Sequence, residues 1–237
     1  MPSSKEPVGP IENRLLAALP DEEYHRLQPH LEHTTLSLGQ VIYEPGGQMS
    51  HIYFPTTCII SLLYTMENGA SAEIGMAGHE GILGIALFMG GDTAPNRAIV
   101  QSAGNALKMK ALVLQEEFIR GGQFQKLLLR YTQALMTQIS QTAVCNRLHP
   151  IDQQLCRWLL LSHDRLRSDT LIMTHNLIAN MLGVRREGVT VGARRLQDAG
   201  LISYSRGRIT ILDRQGLEAA VCECYQVVKS EFERLLG

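Results

Sequence analysis

The segment from Thr174 to Ile202 constrains the fold more than any other part of this sequence, because it predicts two helices joined by one tight turn. Thr174 is able to cap the first helix by accepting a backbone N–H. Apolar residues then recur at helical spacing, and Gly183 can adopt the left-handed conformation that ends a helix. A second, longer helix is expected to begin near Arg185 or Arg186. Together these features indicate a helix-turn-helix.

The predicted second helix separates its polar and apolar residues onto opposite sides. With about 100° between successive residues, one arc collects the polar residues Arg186, Glu187, Thr190, Arg194 and Gln197. The opposite side carries Val189, Gly192, Leu196 and Ala199. One side can therefore pack on a core while the other presents hydrogen-bonding groups, as a helix in the DNA major groove requires. An ordinary amphipathic helix with a solvated face is the alternative.

The polar side chains of this helix suggest individual roles at a DNA surface. Arg186 has the geometry to bind guanine O6 and N7, and Glu187 can accept from a cytosine amino group. Arg194 lies farther along the helix and is better placed for a phosphate. Arg185 and Thr190 complete the candidate DNA contacts on the helix.

A hairpin is predicted after the helix pair. Two short apolar runs, residues 201–204 and 209–212, flank a turn that contains Arg206 and Arg208. Beside a helix-turn-helix such a hairpin forms a wing whose arginines would reach DNA phosphates; a solvated turn is the alternative. The charge favours the wing, because residues 185–214 hold seven arginines against three acids although the whole chain has a net charge of −1.

The preceding part of the chain has a different pattern. Residues 34–118 consist of short apolar runs separated by glycine-bearing breaks, which predicts an all-β sandwich or barrel. Residues 123–148 contain no Gly or Pro and predict one long helix. Its narrow apolar seam consists of Leu128, Tyr131, Leu135 and Ile139. Such a helix between two domains is a candidate dimerisation helix; packing back on its own β domain is the alternative.

The cysteines predict neither disulfides nor a metal site. Their number is five, their spacing is irregular, and no basic-then-apolar leader precedes them, so reduced thiols in a cytoplasm are expected. No apolar run approaches the ~18 residues of a membrane span. Cys222 and Cys224 stand two apart on a predicted helix, which would point them about 200° apart. We interpret them as packing thiols, and no metal ligand or catalytic residue is assigned.

With a winged helix placed after a β domain and a long helix, the chain from about residue 15 to residue 237 resembles the Crp/Fnr superfamily of bacterial transcription regulators. The match is strongest at Thr174–Ile202 and at the Gly207-Arg-Ile-Thr-Ile-Leu-Asp-Arg that follows. The β region matches in outline at Leu38-Gly39-Gln-Val-Ile, Glu44-Pro-Gly-Gly, Ile52-Tyr-Phe and Gly81-Ile-Leu-Gly84.

The resemblance implies an α+β fold with three parts. A jelly roll, or double-stranded β-helix, of the cyclic-nucleotide-binding type would span residues 11–121. A dimerisation helix and hinge would span 122–149, and a winged helix-turn-helix would span 150–237. The implied partners are a second copy of the chain and double-stranded DNA with two-fold symmetric operators. RNA polymerase is a further candidate partner, and no membrane is involved.

The resemblance also implies roles for single residues. Arg186 and Glu187 match the family's base-reading pair, and Thr174 matches a capping residue near a phosphate. Val191 stands where the family has a third base-contacting arginine. A different preferred operator is therefore expected.

The family's effector site is only partly matched. Its cyclic-nucleotide binders place Gly-Glu before the phosphate and Arg-Ser or Arg-Thr after it, whereas here Gly81 is followed by Ile82 and Arg97 by Ala98. These four residues and Gly84 form the candidate effector pocket. Because Ile82 cannot accept from a ribose hydroxyl and Ala98 has no hydroxyl, we expect an effector other than cyclic AMP. No cofactor is identified, and an unknown small-molecule effector is the remaining candidate.

Two other classes of function compete with a DNA-binding regulator. One is a ligand-sensing module whose helix-turn-helix makes protein contacts only, which would show no salt-dependent DNA binding. The other is a cupin-type metalloenzyme, which needs a His-x-His pair followed by Glu, and residues 34–118 hold no such pair. The sequence therefore favours a regulator that is not an enzyme.

Overall fold

A computed structural model describes residues 12–166 and 168–237 of the chain. The first described elements are two short helices, α1 (Arg14–Ala17) and α2 (Asp21–Leu27). The Asn13 side chain caps α1, and three acids in the first turn of α2 interact favourably with the positive end of its dipole. The recurrence of Leu15, Leu16 and Leu19 on one face predicts a helical segment before residue 31, and these helices confirm it. Ile11, the first residue of the predicted jelly-roll segment, lies outside the described residues.

Seven antiparallel strands follow and confirm the predicted β region. They are β1 (Glu32–Leu36), β2 (Val41–Tyr43), β3 (His51–Pro55), β4 (Ile59–Thr65), β5 (Ser71–Ala77), β6 (Arg97–Ser102) and β7 (Gly104–Lys110). One sheet has the order β1-β7-β3 and the other has the order β2-β6-β4-β5. Apolar side chains from both sheets fill the space between them, which is the packing of a β-sandwich.

Two helices leave this sandwich: α3 (Ala111–Arg120) and α4 (Gln123–Leu148). Helix α3 begins inside the region assigned to strands and was not predicted from the sequence. Helix α4 was predicted, and the structure confirms its bounds. The Glu23 carboxylate accepts from the backbone N–H groups of Gln123 and Phe124 at 2.9 and 2.8 Å, so α2 supplies the cap that α4 itself lacks.

The C-terminal part is a small helical unit with a three-stranded sheet. Its elements are α5 (Ile151–His163), β8 (Thr170–Ile172), α6 (His175–Leu182), α7 (Arg186–Asp198), β9 (Ile202–Ser205), β10 (Arg208–Ile211), α8 (Arg214–Ala220) and α9 (Cys224–Leu236). The sheet order is β8-β10-β9, so a third strand joins the predicted hairpin. The sequence after the hairpin predicts one last helix from about Arg214. This prediction was wrong, because the chain leaves the helical conformation at Val221 and a second helix begins at Cys224.

The two parts of the chain share a core. Ile59, Leu63 and Met76 of the jelly roll pack in one apolar cluster with Trp158 and the other buried residues of the C-terminal unit. The last helix, α9, returns along α4, where Phe232 contacts Tyr131 edge to face. Among the described residues, no helix combines the length and hydropathy that crossing a bilayer requires.

Candidate nucleic-acid interface

The helices α6 and α7 are joined by the tight turn that the sequence predicts. The Thr174 hydroxyl accepts from the backbone N–H of Leu177 at 3.2 Å, which confirms the cap of α6. Gly183 has a φ of +66° and ends α6 in the left-handed conformation. A side chain at this position would be strained by that φ and would also press on Ala72 of β5. The glycine therefore serves both the turn and the contact with the jelly roll.

The inner side of α7 holds the helix against α5. Its buried residues are Val189, Gly192, Ala193 and Leu196. Gly192 lies directly over α5, where the nearest atom to an added Cβ would be Oδ1 of Asp152 at 3.0 Å. Arg195 reaches back to the Asp152 carboxylate at 2.8 Å. Packing and this ion pair together fix which side of α7 faces the solvent.

The outer side of α7 presents charged groups to the solvent. Arg185, Arg186 and Glu187 are exposed, and within residues 12–166 and 168–237 none of them forms an ion pair or a side-chain hydrogen bond. Arg194 is also exposed and lies 3.8 Å from the Asp198 carboxylate one turn later. The guanidinium groups of Arg185 and Arg186 at the beginning of α7 are thus available to an anionic ligand, with the Glu187 carboxylate beside them as a hydrogen-bond acceptor.

Two polar residues of the predicted arc are already engaged within the protein. The Thr190 hydroxyl donates to the backbone carbonyl of Arg186 at 3.0 Å and lies 3.0 Å from Nδ1 of His175. The Gln197 side chain accepts from the backbone N–H of Tyr204 at 2.8 Å. These contacts tie α7 to α6 and to the wing.

His175 is a residue of the interface that the sequence analysis missed. Its ring stacks on Tyr204 with centroids 4.1 Å apart, so it joins the first turn of α6 to the wing strand β9. Burial lowers the pKa of His175, and the charge of Arg186 lowers it further. A histidine one residue after a helix cap gave no signal that it would meet an aromatic ring 29 positions later in the chain.

The wing ends in a two-residue turn that carries positive charge. Arg208 pairs with Ser205 across the hairpin, and Arg206 and Gly207 have φ values of +50° and +76°. Two successive positive φ values define the type I′ turn that suits the twist of a hairpin. Arg206 and Arg208 are exposed and form no ion pair with another described residue. The wing tip is therefore a free cationic end beside α7.

The residues predicted to form the effector pocket belong to the jelly roll and are mostly covered. Ile82 and Ala98 are buried in its core, and a Cβ at Gly81 would overlap the ring of Tyr131 on α4. Gly84 forms a left-handed turn against β3. Arg97 binds the Glu44 carboxylate through two hydrogen bonds of 2.7 and 2.9 Å. Arg97, the one cation among the predicted effector residues, is thus already paired with a carboxylate of the same protein.

The residues predicted for dimer contacts face the protein's own jelly roll instead. Leu128, Tyr131 and Leu135 are at most 1% exposed, and the Tyr131 hydroxyl donates to the Ile82 carbonyl at 2.9 Å. Ile139 packs against the same core. The assignment of these side chains to a dimer seam was wrong, because this apolar stripe of α4 packs into the core of the protein's own jelly roll.

The assumption about Cys222 and Cys224 also needs correction. Cys222 lies in the break before α9 and only Cys224 is helical, so the pair does not point to opposite sides of one helix. Their sulfur atoms, together with Cys145 Sγ and a ring nitrogen of His149, lie within 4.8 Å of one another. These four residues are the group in the described chain that could hold a metal ion.

A jelly roll joined through a long helix to a winged helix-turn-helix, with exposed arginines at the start of α7, defines the class of winged helix-turn-helix proteins that carry an N-terminal β domain. Residues 153–220 match the sequence model of the Crp-like helix-turn-helix domain. No curated protein sequence is similar enough to the chain to count as a match.

Solved structures of similar fold match both the jelly roll and the C-terminal unit of the chain. FixK2 from Bradyrhizobium japonicum is 15% identical, with a TM-score of 0.69, and the match covers 81% of this chain and 98% of that one. TTHB099 from Thermus thermophilus, a transcriptional regulator of the CRP family, is 17% identical with a TM-score of 0.65, and the match covers 79% and 95%. The c-di-GMP responsive regulator CLP from Xanthomonas campestris is 14% identical with a TM-score of 0.63, and the match covers 81% and 99%.

The chain therefore contains a Crp-like helix-turn-helix domain, and its overall fold is that of Crp/Fnr-type transcription regulators.

Proposed function

We propose that this protein is a sequence-specific DNA-binding transcription regulator that acts as a homodimer. The observation that carries the proposal is the outer side of α7, where Arg185, Arg186 and Glu187 are exposed and unpaired within the described residues while the inner side is buried. A helix held in this way can enter a major groove with its side chains already oriented. Arg186 and Glu187 are proposed to read bases, and Arg185 and Arg194 to bind phosphates.

The wing and the start of α6 are proposed to hold the backbone of the same DNA. Arg206 and Arg208 lie at the exposed hairpin tip, where phosphate oxygens are their natural partners. Thr174 caps α6, and the N-terminus of a helix favours a phosphate through its free N–H groups. These contacts position the protein, whereas the α7 side chains supply the sequence preference.

The homodimer is proposed to form through the side of α4 that the protomer leaves uncovered. Leu129 and Met136 are 51% and 61% exposed and stand seven residues apart, and Val144 is also exposed. Leu129 and Met136 thus repeat at one heptad position, as residues in the seam of a two-helix coiled coil do. Two copies related by a two-fold axis would place their α7 helices ~34 Å apart, in successive major grooves of a symmetric operator.

The proposal divides the chain into an effector domain at residues 11–121, a dimerisation helix and hinge at 122–149, and a DNA-binding domain at 150–237. The effector is proposed to be a compound other than cyclic AMP, because Arg97 is neutralised by Glu44 and Ile82 replaces the ribose-binding carboxylate.

A transcription regulator acts where the chromosome is transcribed. The proposal therefore includes a cytoplasmic location and RNA polymerase as a further partner.

The test begins with selection of binding sites from a random duplex library by the full chain, followed by fluorescence anisotropy on the selected DNA. We expect a two-fold symmetric consensus and an affinity that falls steeply as salt is raised, since arginine–phosphate contacts release counterions. Saturating cyclic AMP is expected to leave the affinity unchanged. Absent or salt-independent binding would reject the proposal and favour a helix-turn-helix that contacts proteins only.

The Arg186→Ala variant tests the reading role of α7. We expect a loss of about 1–3 kcal/mol in binding free energy and a relaxed preference at one position of each half-site. Arg234→Ala is the matched control, because Arg234 is an exposed arginine of α9 that is paired with Glu231 and lies outside the proposed DNA surface, so its loss should leave affinity and preference unchanged. If Arg186→Ala weakens binding to all sequences equally, Arg186 is a phosphate ligand and not a base reader.

A further inference from the structure

Four side chains with metal-binding chemistry meet where α4 ends and α9 begins. Cys145 and His149 belong to the last turn of α4 and its cap, and Cys222 and Cys224 lie at the start of α9. The three thiols are at most 4% exposed, and no disulfide joins them. Cys145 and Cys222 are 77 residues apart in the chain and His149 and Cys224 are 75 apart, so only the return of α9 along α4 brings them together.

The distances within this cluster match the edges of a tetrahedron around one ion. Cys145 Sγ lies 3.6 Å from Cys222 Sγ, and Cys224 Sγ lies 3.6 Å from His149 Nδ1. With metal–sulfur bonds of about 2.3 Å and metal–nitrogen bonds of about 2.0–2.1 Å, a tetrahedral site has S···S edges of about 3.8 Å and S···N edges of about 3.6 Å. All four ligand atoms lie within 4.8 Å of one another, which leaves room for one ion between them.

We propose that Cys145, His149, Cys222 and Cys224 form a mononuclear Zn²⁺ site that links the end of α4 to the start of α9. Three thiolates and one imidazole in a closed tetrahedron are the donor set of structural zinc. The site goes beyond the proposed function, because it depends on neither DNA nor an effector.

The surroundings of His149 fit a metal-binding imidazole. Its Nδ1 faces the cluster, and its Nε2 lies 3.4 Å from the Glu223 carboxylate. A ligating histidine usually donates its other ring N–H to a carboxylate, which fixes the tautomer and the orientation of the ring. The Gln154 side chain donates to the His149 backbone carbonyl at 2.8 Å and holds the residue in place.

A buried cation balances the charge of the site. Zn²⁺ with three thiolates carries a net charge of −1, and such a charge needs a counterion when it is buried. Arg157 is only 3% exposed and donates through one nitrogen to the Thr142 hydroxyl at 3.1 Å. Its Nε is buried without a hydrogen-bond partner among the described residues.

The position of the site suggests what it does for the molecule. His149 is followed by Pro150, where the chain turns from α4 into α5 and the C-terminal unit begins. A metal bound beside this hinge would join the end of α4, through Cys145 and His149, to the segment that begins α9, through Cys222 and Cys224. It would thereby hold α9 against α4.

The test is the metal content of the untagged full chain, purified under reducing conditions and measured by inductively coupled plasma mass spectrometry. We expect about one zinc per protomer, and we expect Cys222→Ser and Cys224→Ser to lose it. Cys58→Ser is the matched control, because Cys58 is an equally buried thiol in the jelly roll and its loss should leave the zinc in place. His149→Cys preserves a tetrahedral donor set and is expected to retain zinc, whereas His149→Ala is not.

Cobalt provides a second readout that does not depend on any variant. When Co²⁺ replaces zinc in the wild-type chain, three thiolate ligands should produce strong charge-transfer bands and the visible bands of tetrahedral cobalt. A wild-type protein that binds neither Zn²⁺ nor Co²⁺ when reduced would overturn the proposal. So would a mass 2 Da below the reduced value under anaerobic conditions, which would show a Cys145–Cys222 disulfide, or serine variants that keep zinc as Cys58→Ser does.

Discussion

At the scale of single residues, Arg206 has the least favourable backbone in the described chain. It is the residue other than glycine with a positive φ, at +50°, and it occupies the tip of an exposed hairpin. A side chain in this region costs about 1–2 kcal/mol relative to the right-handed conformation. Since Arg206 is exposed and packs in no core, we expect it to contribute charge and not stability.

The Arg206→Gly variant separates these two contributions. Because glycine adopts this φ without strain, we expect the free energy of unfolding to rise by about 0.5–1 kcal/mol, measured by urea titration. DNA affinity is expected to fall and to lose about one unit of its salt dependence. Arg208→Ala is the control, since it removes charge from the same tip without a positive φ. An unfolding free energy that falls in Arg206→Gly would contradict the argument from strain.

At the scale of elements, α4 shows how one helix can serve two surfaces. Leu128 and Leu135 lie within the jelly-roll core, whereas Leu129 and Met136, one position farther along, are exposed. Because successive side chains on a helix point about 100° apart, neighbouring positions can lie one in the core and the other at the surface. The helical period was evident from the sequence, but which apolar stripe the protein itself covers was not.

Two sets of substitutions distinguish these surfaces. Leu129→Lys with Met136→Lys is expected to yield a monomer in analytical ultracentrifugation, because two charges cannot be buried in a dimer seam without partners. Leu128→Ala should instead destabilise the protomer by about 2–5 kcal/mol in thermal or urea unfolding, since it opens a cavity in the core. A double lysine variant that still sediments as a dimer would show that the second copy contacts another surface.

At the scale of the whole molecule, buried polar contacts join the jelly roll to the C-terminal unit. The Trp158 indole donates to the Glu73 carboxylate at 3.2 Å, and Arg165 pairs with Glu80 at 2.7 Å. One carboxylate oxygen of Glu73 has no partner among the described residues. Burial raises the pKa of Glu73 to about 7, although the charge of Arg157 and the Trp158 hydrogen bond lower it. The interface is thus sensitive to the protonation of one carboxyl group.

The pH dependence of stability should report this group. The carboxyl of Glu73 has an ordinary pKa of 4.5 when the chain is unfolded and about 7 when it is folded. The folded state binds more protons between these values, so the free energy of unfolding should fall by up to about 3 kcal/mol as pH rises through this window. Glu73→Gln should remove this decrease and be the more stable protein at pH 8.

Urea titrations from pH 4 to pH 9 would test this expectation. Glu116→Gln is the control, because Glu116 is exposed on α3 and its replacement should leave the pH profile of the wild type unchanged. A Glu73→Gln variant whose stability changes with pH as the wild type does would assign the dependence to another group.

Much of the fold and of the DNA-facing site was accessible from local sequence signals. The cap at Thr174, the turn at Gly183 and the two-sided pattern of α7 each depend on residues a few positions apart, so the helix pair and the wing hairpin were predicted correctly. The strand β8 and the helix α3 were missed, because three residues give little periodicity and because α3 follows directly from a strand without a break.

The sequence by itself determined the local structures, since caps, turns and helical periods act between neighbouring residues. Only the tertiary structure decided which side of α4 is buried, that Arg97 is bound by Glu44, and that His175 stacks on Tyr204. It also decided that three thiols and an imidazole meet at the hinge. These outcomes depend on contacts between residues that are far apart in the chain, and such contacts form only when the whole molecule packs around its shared core.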